Sequence, residues 1–165
     1  MRIWLEEAAR ARGHTVVCWR DGDAAAVVSG PLSRLVRPDA WFVYRLGEVV
    51  LVGLVEVDRG TERGRRSWVA KLDAYQSLFS DRAALVAATG YMNARVLVLT
   101  PSSQRLNGLV ALLDDSMSKL ELPPAILDRF WLAEQPVLAC PDLTEARWRR
   151  PGSDAFWSLV SKRTY

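Results

Sequence analysis

The 165 residues are 50% hydrophobic and 25% charged, a composition that suits one globular domain with a sizeable core and argues against a disordered chain. A net charge of +3 permits a nucleic-acid partner without demanding one. Two cysteines without CxxC spacing and a single histidine argue against a cysteine–histidine metal centre.

Residues 1–12 read as a helix, with Ile3, Trp4, Leu5, Ala8 and Ala9 on its apolar side and Gly13 as its stop. Glu6, Glu7, Arg10 and Arg12 interrupt any signal-peptide core, and no run reaches the roughly 18 to 20 apolar residues of a membrane span. The expectation is a cytoplasmic protein with no membrane partner. No capping residue precedes the helix, which raises the expectation of an upstream segment. Residues 15–20 read as a strand and Asp21-Gly22-Asp23 as a turn, because the further acids of a calcium loop do not follow. Residues 24–37, broken by Gly30-Pro31, read as a connection with one short element.

Two strands come next, residues 40–45 and 49–58, joined around Leu46-Gly47-Glu48. On the second, Val50, Val52, Leu54, Glu56 and Asp58 share one face and Val49, Leu51, Gly53, Val55 and Val57 the other. Both faces are apolar until Glu56, so the strand is expected inside a sheet covered on both sides, with two carboxylates emerging at its end. An even-length turn sets Asp39 opposite Leu54 and diagonal to Glu56, on the same face and roughly 7 to 8 Å away. A three-residue turn with Gly47 left-handed sends Asp39 to the other face.

The run from Arg59 to Arg66 is a glycine-punctuated basic loop. In it Arg63, Arg65 and Arg66 are candidates for holding phosphates, the alternative being a solvated loop. A helix over 67–79 carries Trp68, Leu72, Tyr75, Leu78 and Phe79 at helical spacing, with Lys71 at the margin of that stripe. Residues 81–89 read as a further short helix, 94–100 as an apolar strand, 103–120 as a helix with Leu106, Leu109, Val110, Leu112 and Leu113 inward, and 127–134 as a strand. Residues 136–165, with three prolines, read as a mostly irregular tail; there Trp148 and Trp157 among arginines either stack on bases or a partner or wrap back onto the core.

Pro38-Asp39, then Glu56-Val57-Asp58, then Lys71 resembles the active-site pattern of the PD-(D/E)XK nuclease superfamily. That pattern usually carries its lysine two residues after the acid, where this chain has Asp58, so Lys71 stands as a migrated lysine. The wider run, with Arg59-Gly60-Thr61-Glu62 and Lys71-Leu72 before Tyr75, is similar to the replication-relaxation family of plasmids and mobile elements, and the likeness runs from the first helix to the region of Trp148. That family often has a winged-helix region ahead of this point.

The resemblance implies an α/β (α+β) mixed sheet with a restriction-endonuclease-like core, order α-β-β-β-α-β, plus a C-terminal helix and strand. It implies a DNA nuclease using Mg2+ or Mn2+, with Asp39, Glu56 and Asp58 as metal ligands and Lys71 as a catalytic cation. Glu6 and Tyr75 are candidate accessories, and the Trp/Arg-rich tail is a candidate surface for a homodimer or protein partner. The other class is a DNA-binding or partner-binding module of replication control that does not cleave. If the basic loop grips phosphates, replacing Arg63, Arg65 and Arg66 with alanine will weaken DNA binding and flatten the log–log salt dependence by about 0.9 per lost duplex contact. Binding titrations across a salt series measure it, and an unchanged slope assigns these arginines to solvent.

Overall fold

The computed structural model describes residues 1–30, 34–60, 65–120, 123–135 and 147–160, with the backbone alone at 65, 66, 117, 118 and 120. Helix α1 (Arg2–Arg12) ends at Gly13 with φ 67°, a left-handed cap that favours glycine. It leads into β1 (Thr15–Asp21), a 3-10 turn (Gly22–Ala25), and the short strands β2 (Val27–Ser29) and β3 (Arg34–Val36). Strands β4 (Ala40–Leu46) and β5 (Val49–Val57) follow, then α2 (Arg65–Ser80), α3 (Arg82–Thr89) and β6 (Arg95–Thr100). The chain continues through α4 (Ser103–Leu120), α5 (Pro124–Leu127), β7 (Phe130–Glu134), β8 (Trp148–Arg150) and β9 (Ser153–Trp157).

Among the described residues seven strands form one mixed sheet in the order β1-β4-β5-β6-β7-β8-β9. The antiparallel run β1-β4-β5 is followed by α2 and then by β6 parallel to β5, so α1-β1-β4-β5-α2-β6 has the expected α-β-β-β-α-β order. The reading of 24–37 as a connection with one short element needs correcting: β2 and β3 pair as a separate hairpin. Ala25, Val27 and Val36 bury against the core shared with α2, Gly30 N–H donates to the Asp81 carboxylate, and Arg34 pairs with Asp73 on α2. The hairpin thereby braces the helix that carries Lys71.

The tail reading also changes. Residues 148–150 and 153–157 are strands that extend the sheet, although Arg149, Arg150, Ser153 and Asp154 leave little apolar alternation to announce them. Trp148 is buried, whereas Trp157 is partly exposed with Arg150 stacked 4.0 Å from its ring centre. Residues 136–146 and 161–165 of that reading, Cys140 included, lie outside the described residues.

The period-two split of β5 is the one the sequence shows. Val52 and Leu54 pack with Trp41, Val43, Val96 and Val98 under α2, α3 and α4, and Leu51 and Val55 pack with Phe42, Tyr44, Leu97 and Leu99 under α1. The β4–β5 turn has two residues, Gly47 at φ 54° and Glu48, between Leu46 and its partner Val49. Ala40 pairs with Val55, so Asp39 comes level with Glu56 rather than opposite Leu54, two positions further along β5 than the sequence suggested.

Gly53 is the one residue of β5 that must lack a side chain, because a Cβ there would stand 2.4 Å from two atoms of the Phe42 ring, itself fully buried and stacked on Trp19. Gly53→Ala will destabilise by about 1–3 kcal/mol through overpacking. Adding Phe42→Leu will recover part of the loss, and a double-mutant cycle by urea denaturation measures the coupling.

Candidate functional site

Chemistry-bearing residues gather at the carboxyl end of β5, on the face covered by α2 and α4. Glu56 continues the inward series Val52, Leu54 and is 3% exposed. A carboxylate this deep stays ionised only with partners, and α2 provides them. Lys71 Nζ lies 2.9 Å from Glu56 Oε2, and the Tyr75 hydroxyl donates to Oε1 at 2.6 Å. Lys71 and Tyr75 are one helical turn apart, so both reach the same group from one face of α2. The Tyr75 ring is held edge-on to Phe130 and stacked on Phe79, and Lys71 lies over the Trp68 ring at 5.0 Å.

Burial pushes the Glu56 carboxyl above its ordinary pKa. The Lys71 charge and the hydrogen bonds from Tyr75 and Lys71 oppose the rise, and the Asp39 charge adds to it. Burial, Glu56 and Asp39 together lift the Tyr75 phenol well above the usual value, so it acts as a fixed donor at neutral pH.

Asp39 sits just before β4, exposed, on the side to which alternation sends Trp41 and Val43. Its N–H donates to Val55 O at 2.9 Å and its Oδ2 accepts from Val57 N–H at 2.7 Å, so the residue clasps β5 on both sides of Glu56. Asp58 points the same way but has different partners. Arg105 Nε donates to its Oδ2 at 2.6 Å, Arg105 Nη2 to its Oδ1 at 3.3 Å, and Gly60 N–H to Oδ1 at 2.8 Å. The side chain of Asp58 is 1% exposed and that of Arg105 26%.

Asp39, Glu56, Lys71 and Tyr75 are thus brought together, with Asp58 beside them in its own ion pair. Glu6 is not brought in: it lies on α1, which packs on the opposite face of the sheet, and pairs with Arg2 on the same helix. Arg63 lies outside the described residues, as do the side chains of Arg65 and Arg66, which open α2. Among the described residues no group of three or more His, Cys, Asp or Glu side chains is arranged to hold a metal ion. Sequence reasoning missed Arg105. The available signal was a cation in the first turn of α4, just after the Ser102 side chain that accepts its N–H, where the helix dipole disfavours positive charge.

A family model described as replication-relaxation matches residues 1–92, more than half of the chain. The chain belongs to the replication-relaxation family. Membership associates it with the replication or relaxation of plasmid or mobile-element DNA. The matched span runs from α1 through α3 and contains Asp39, Glu56, Asp58, Lys71 and Tyr75; it ends at Met92, short of the Trp148 region named in the sequence resemblance. No curated protein and no solved structure matches the chain. Among the described residues no helix is long and apolar enough to cross a membrane.

Because the folded Glu56 carboxyl has its pKa raised above 4.5, the native state holds that proton more tightly than the unfolded chain. Wild-type stability therefore falls as pH rises from about 4.5 through the raised value. Glu56→Gln removes this penalty and leaves Lys71, which is 30% exposed, to be hydrated. Its melting temperature will exceed that of the wild type at pH 8, and the gap will shrink toward pH 4; a pH series of thermal melts measures it.

Proposed function

We propose that this family member is a metal-dependent DNA endonuclease-like protein that hydrolyses phosphodiester bonds during plasmid or mobile-element processing. The observation that carries the reading is the Lys71–Glu56 pair, 2.9 Å apart at the end of a buried strand and level with Asp39. In support of the reading, an acid, a second acid and a lysine meet here, with Lys71 as the migrated lysine of the PD-(D/E)XK resemblance, on a core of order α-β-β-β-α-β. The donor chemistry fits Mg2+ or Mn2+ as an ion that takes one or two carboxylates and completes its shell with water and substrate phosphate, rather than one caged by protein alone. Asp39, the exposed acid, would hold it with Glu56, whose oxygens are met by Lys71 and Tyr75 and would have to exchange a partner for the ion, as would those of Asp58, engaged by Arg105 and Gly60. When bound, such an ion supplies Lewis-acid polarisation of the phosphate.

The residues have separate tasks. Hydrolysis adds a water oxygen to phosphorus as the bond to the leaving sugar oxygen breaks and that oxygen gains a proton, so negative charge grows on the phosphoryl oxygens. The Lys71 ammonium, partly exposed above Glu56, stabilises that charge. Tyr75, bound to Oε1, keeps the Glu56 carboxylate from rotating as substrate arrives.

One observation favours a binding module without cleavage: at the usual lysine position stands Asp58, committed to an arginine. Both readings meet one test. With Mg2+ or Mn2+, the wild type will cleave at least one of single-stranded, duplex or branched DNA. Lys71→Met, which keeps the packed stem, will lower the rate by about 100-fold or more while DNA affinity changes little, since the charge acts in the transition state. No cleavage by the folded wild type on any of these substrates overturns hydrolysis and leaves binding.

A further inference from the structure

The last two strands put an exposed tryptophan and an arginine side by side on the sheet face that the proposed site does not use. Trp148 pairs with Trp157 across β8 and β9, and directly paired residues share a face. Both therefore lie on the side of Trp131 and α1, opposite the face on which Glu56 meets α2. Trp148 is buried there, whereas Trp157, on the strand that ends the sheet, is 38% exposed. The Arg150 guanidinium lies 4.0 Å from the Trp157 ring centre and 5.6 Å from that of Trp131, and Arg95 lies 4.2 Å from Trp131. Trp157, Arg150, Trp131 and Arg95 thus follow one another as an alternating row of rings and cations.

The hydrogen-bonding groups of Arg150 do not explain its place. Among the described residues its Nε is buried with no hydrogen-bond partner, and its ion-pair partner, Asp128, stands 3.5 Å away, beyond the ordinary N–H···O range. Buried donors are normally engaged, so this guanidinium is held by the two rings rather than by acceptors. Arg95 donates to Leu159 O. Burial, and next the Arg150 charge, hold the Arg95 guanidinium below its ordinary pKa. Two like charges are thereby kept close together on this face, an arrangement that an approaching anion relieves. Trp157 adds an aromatic surface that the stacked arginine holds in orientation. A duplex hides the faces of its bases in its own stack, whereas a single strand offers bases to a ring and phosphates to a cation.

We infer that Trp157 and Arg150 form a platform for single-stranded nucleic acid, on which Trp157 stacks against a base while Arg150 meets the adjacent phosphate. The platform holds a strand without reading its sequence, since every base has an aromatic face. It lies on strands beyond the matched residues 1–92 and on the other face of the sheet from Glu56 and Lys71, so it goes beyond the proposed hydrolysis and does not rest on it.

The test is binding of a labelled oligothymidine strand and of an abasic strand of equal length and charge. Fluorescence anisotropy across a salt series reads it, in EDTA so that metal-dependent cleavage plays no part, with folding followed by circular dichroism. The wild type is expected to bind oligothymidine about 5-fold or more tightly than the abasic strand. Trp157→Ala is expected to lose that preference while binding the abasic strand as before, and Trp157→Phe to keep most of it. Arg150→Gln is expected to lower the log–log salt slope by about 0.7, one single-strand phosphate contact. Phe156→Ala, which removes an exposed ring from the other face of β9, is expected to change neither quantity.

An unchanged preference in a folded Trp157→Ala protein overturns the inference, as does an unchanged slope in a folded Arg150→Gln protein. An equal loss in Phe156→Ala overturns it too, because it marks non-specific adhesion of exposed rings. A wild type that binds neither strand, or both alike, overturns it and leaves the Trp157 ring to a protein contact. Should either variant fail to fold, photo-crosslinking of the wild type to a 5-bromodeoxyuridine strand decides instead. A crosslink mapped to Trp157 supports the platform, and crosslinks confined to other residues overturn it.

Discussion

A carboxylate at the buried end of a doubly covered strand is the constraint on which the rest depends. Glu56 follows five strand residues that pack into helices on one side or the other, so its charge has nowhere to go but into the interface with α2. Removing an ion from water costs several kcal/mol even after relaxation, and only close, well-aligned partners offset it. Lys71 and Tyr75 offset it from successive turns of α2. The position of α2 is therefore tied to the sheet by polar contacts as well as by Trp68, Leu72 and Leu78, and the β2–β3 hairpin braces it from the far side. The same compensation leaves a lysine beside an acid at the solvent edge, so the stability requirement of the fold and the chemistry of the site are met by one contact.

The second acid of the strand follows the same electrostatics through a different helix. Asp58 is as buried as Glu56, and it draws Arg105 from α4 rather than a group from α2. Two buried carboxylates two residues apart thus each fix one helix, one with lysine and one with arginine. Lysine is a compact, hydrated charge that can turn toward a new oxygen, whereas the arginine fork is rigid once engaged. Asp39, the third acid, is exposed and held through its backbone and one oxygen to β5, which makes it the most accessible of the three.

Much of this was legible from residue order. The alternation read over residues 49–58 assigns Glu56 and Asp58 to one face, because side chains on an extended chain alternate by geometry. Helical spacing likewise puts Lys71 and Tyr75 on one face of α2. The short turn at Gly47 already pairs β4 with β5, but the side and level of Asp39 stayed open between an even and a three-residue turn until the structure showed a two-residue loop. The order α-β-β-β-α-β could be read from hydrophobic runs and their breaks. The strands β2, β3, β8 and β9 could not, since three to five residues with arginine, serine and aspartate among them carry too little alternation to separate from loop.

Local backbone periodicity is enough to put Glu56 and Asp58 on one face and Lys71 on the helix after them. Tertiary structure alone decided the partners. That Glu56 is met by Lys71 and Tyr75, and Asp58 by an arginine 47 residues away, depends on how α2 and α4 settle on one face of the sheet. That packing is set by the joint burial of some two dozen apolar side chains, and no spacing within a single element encodes it.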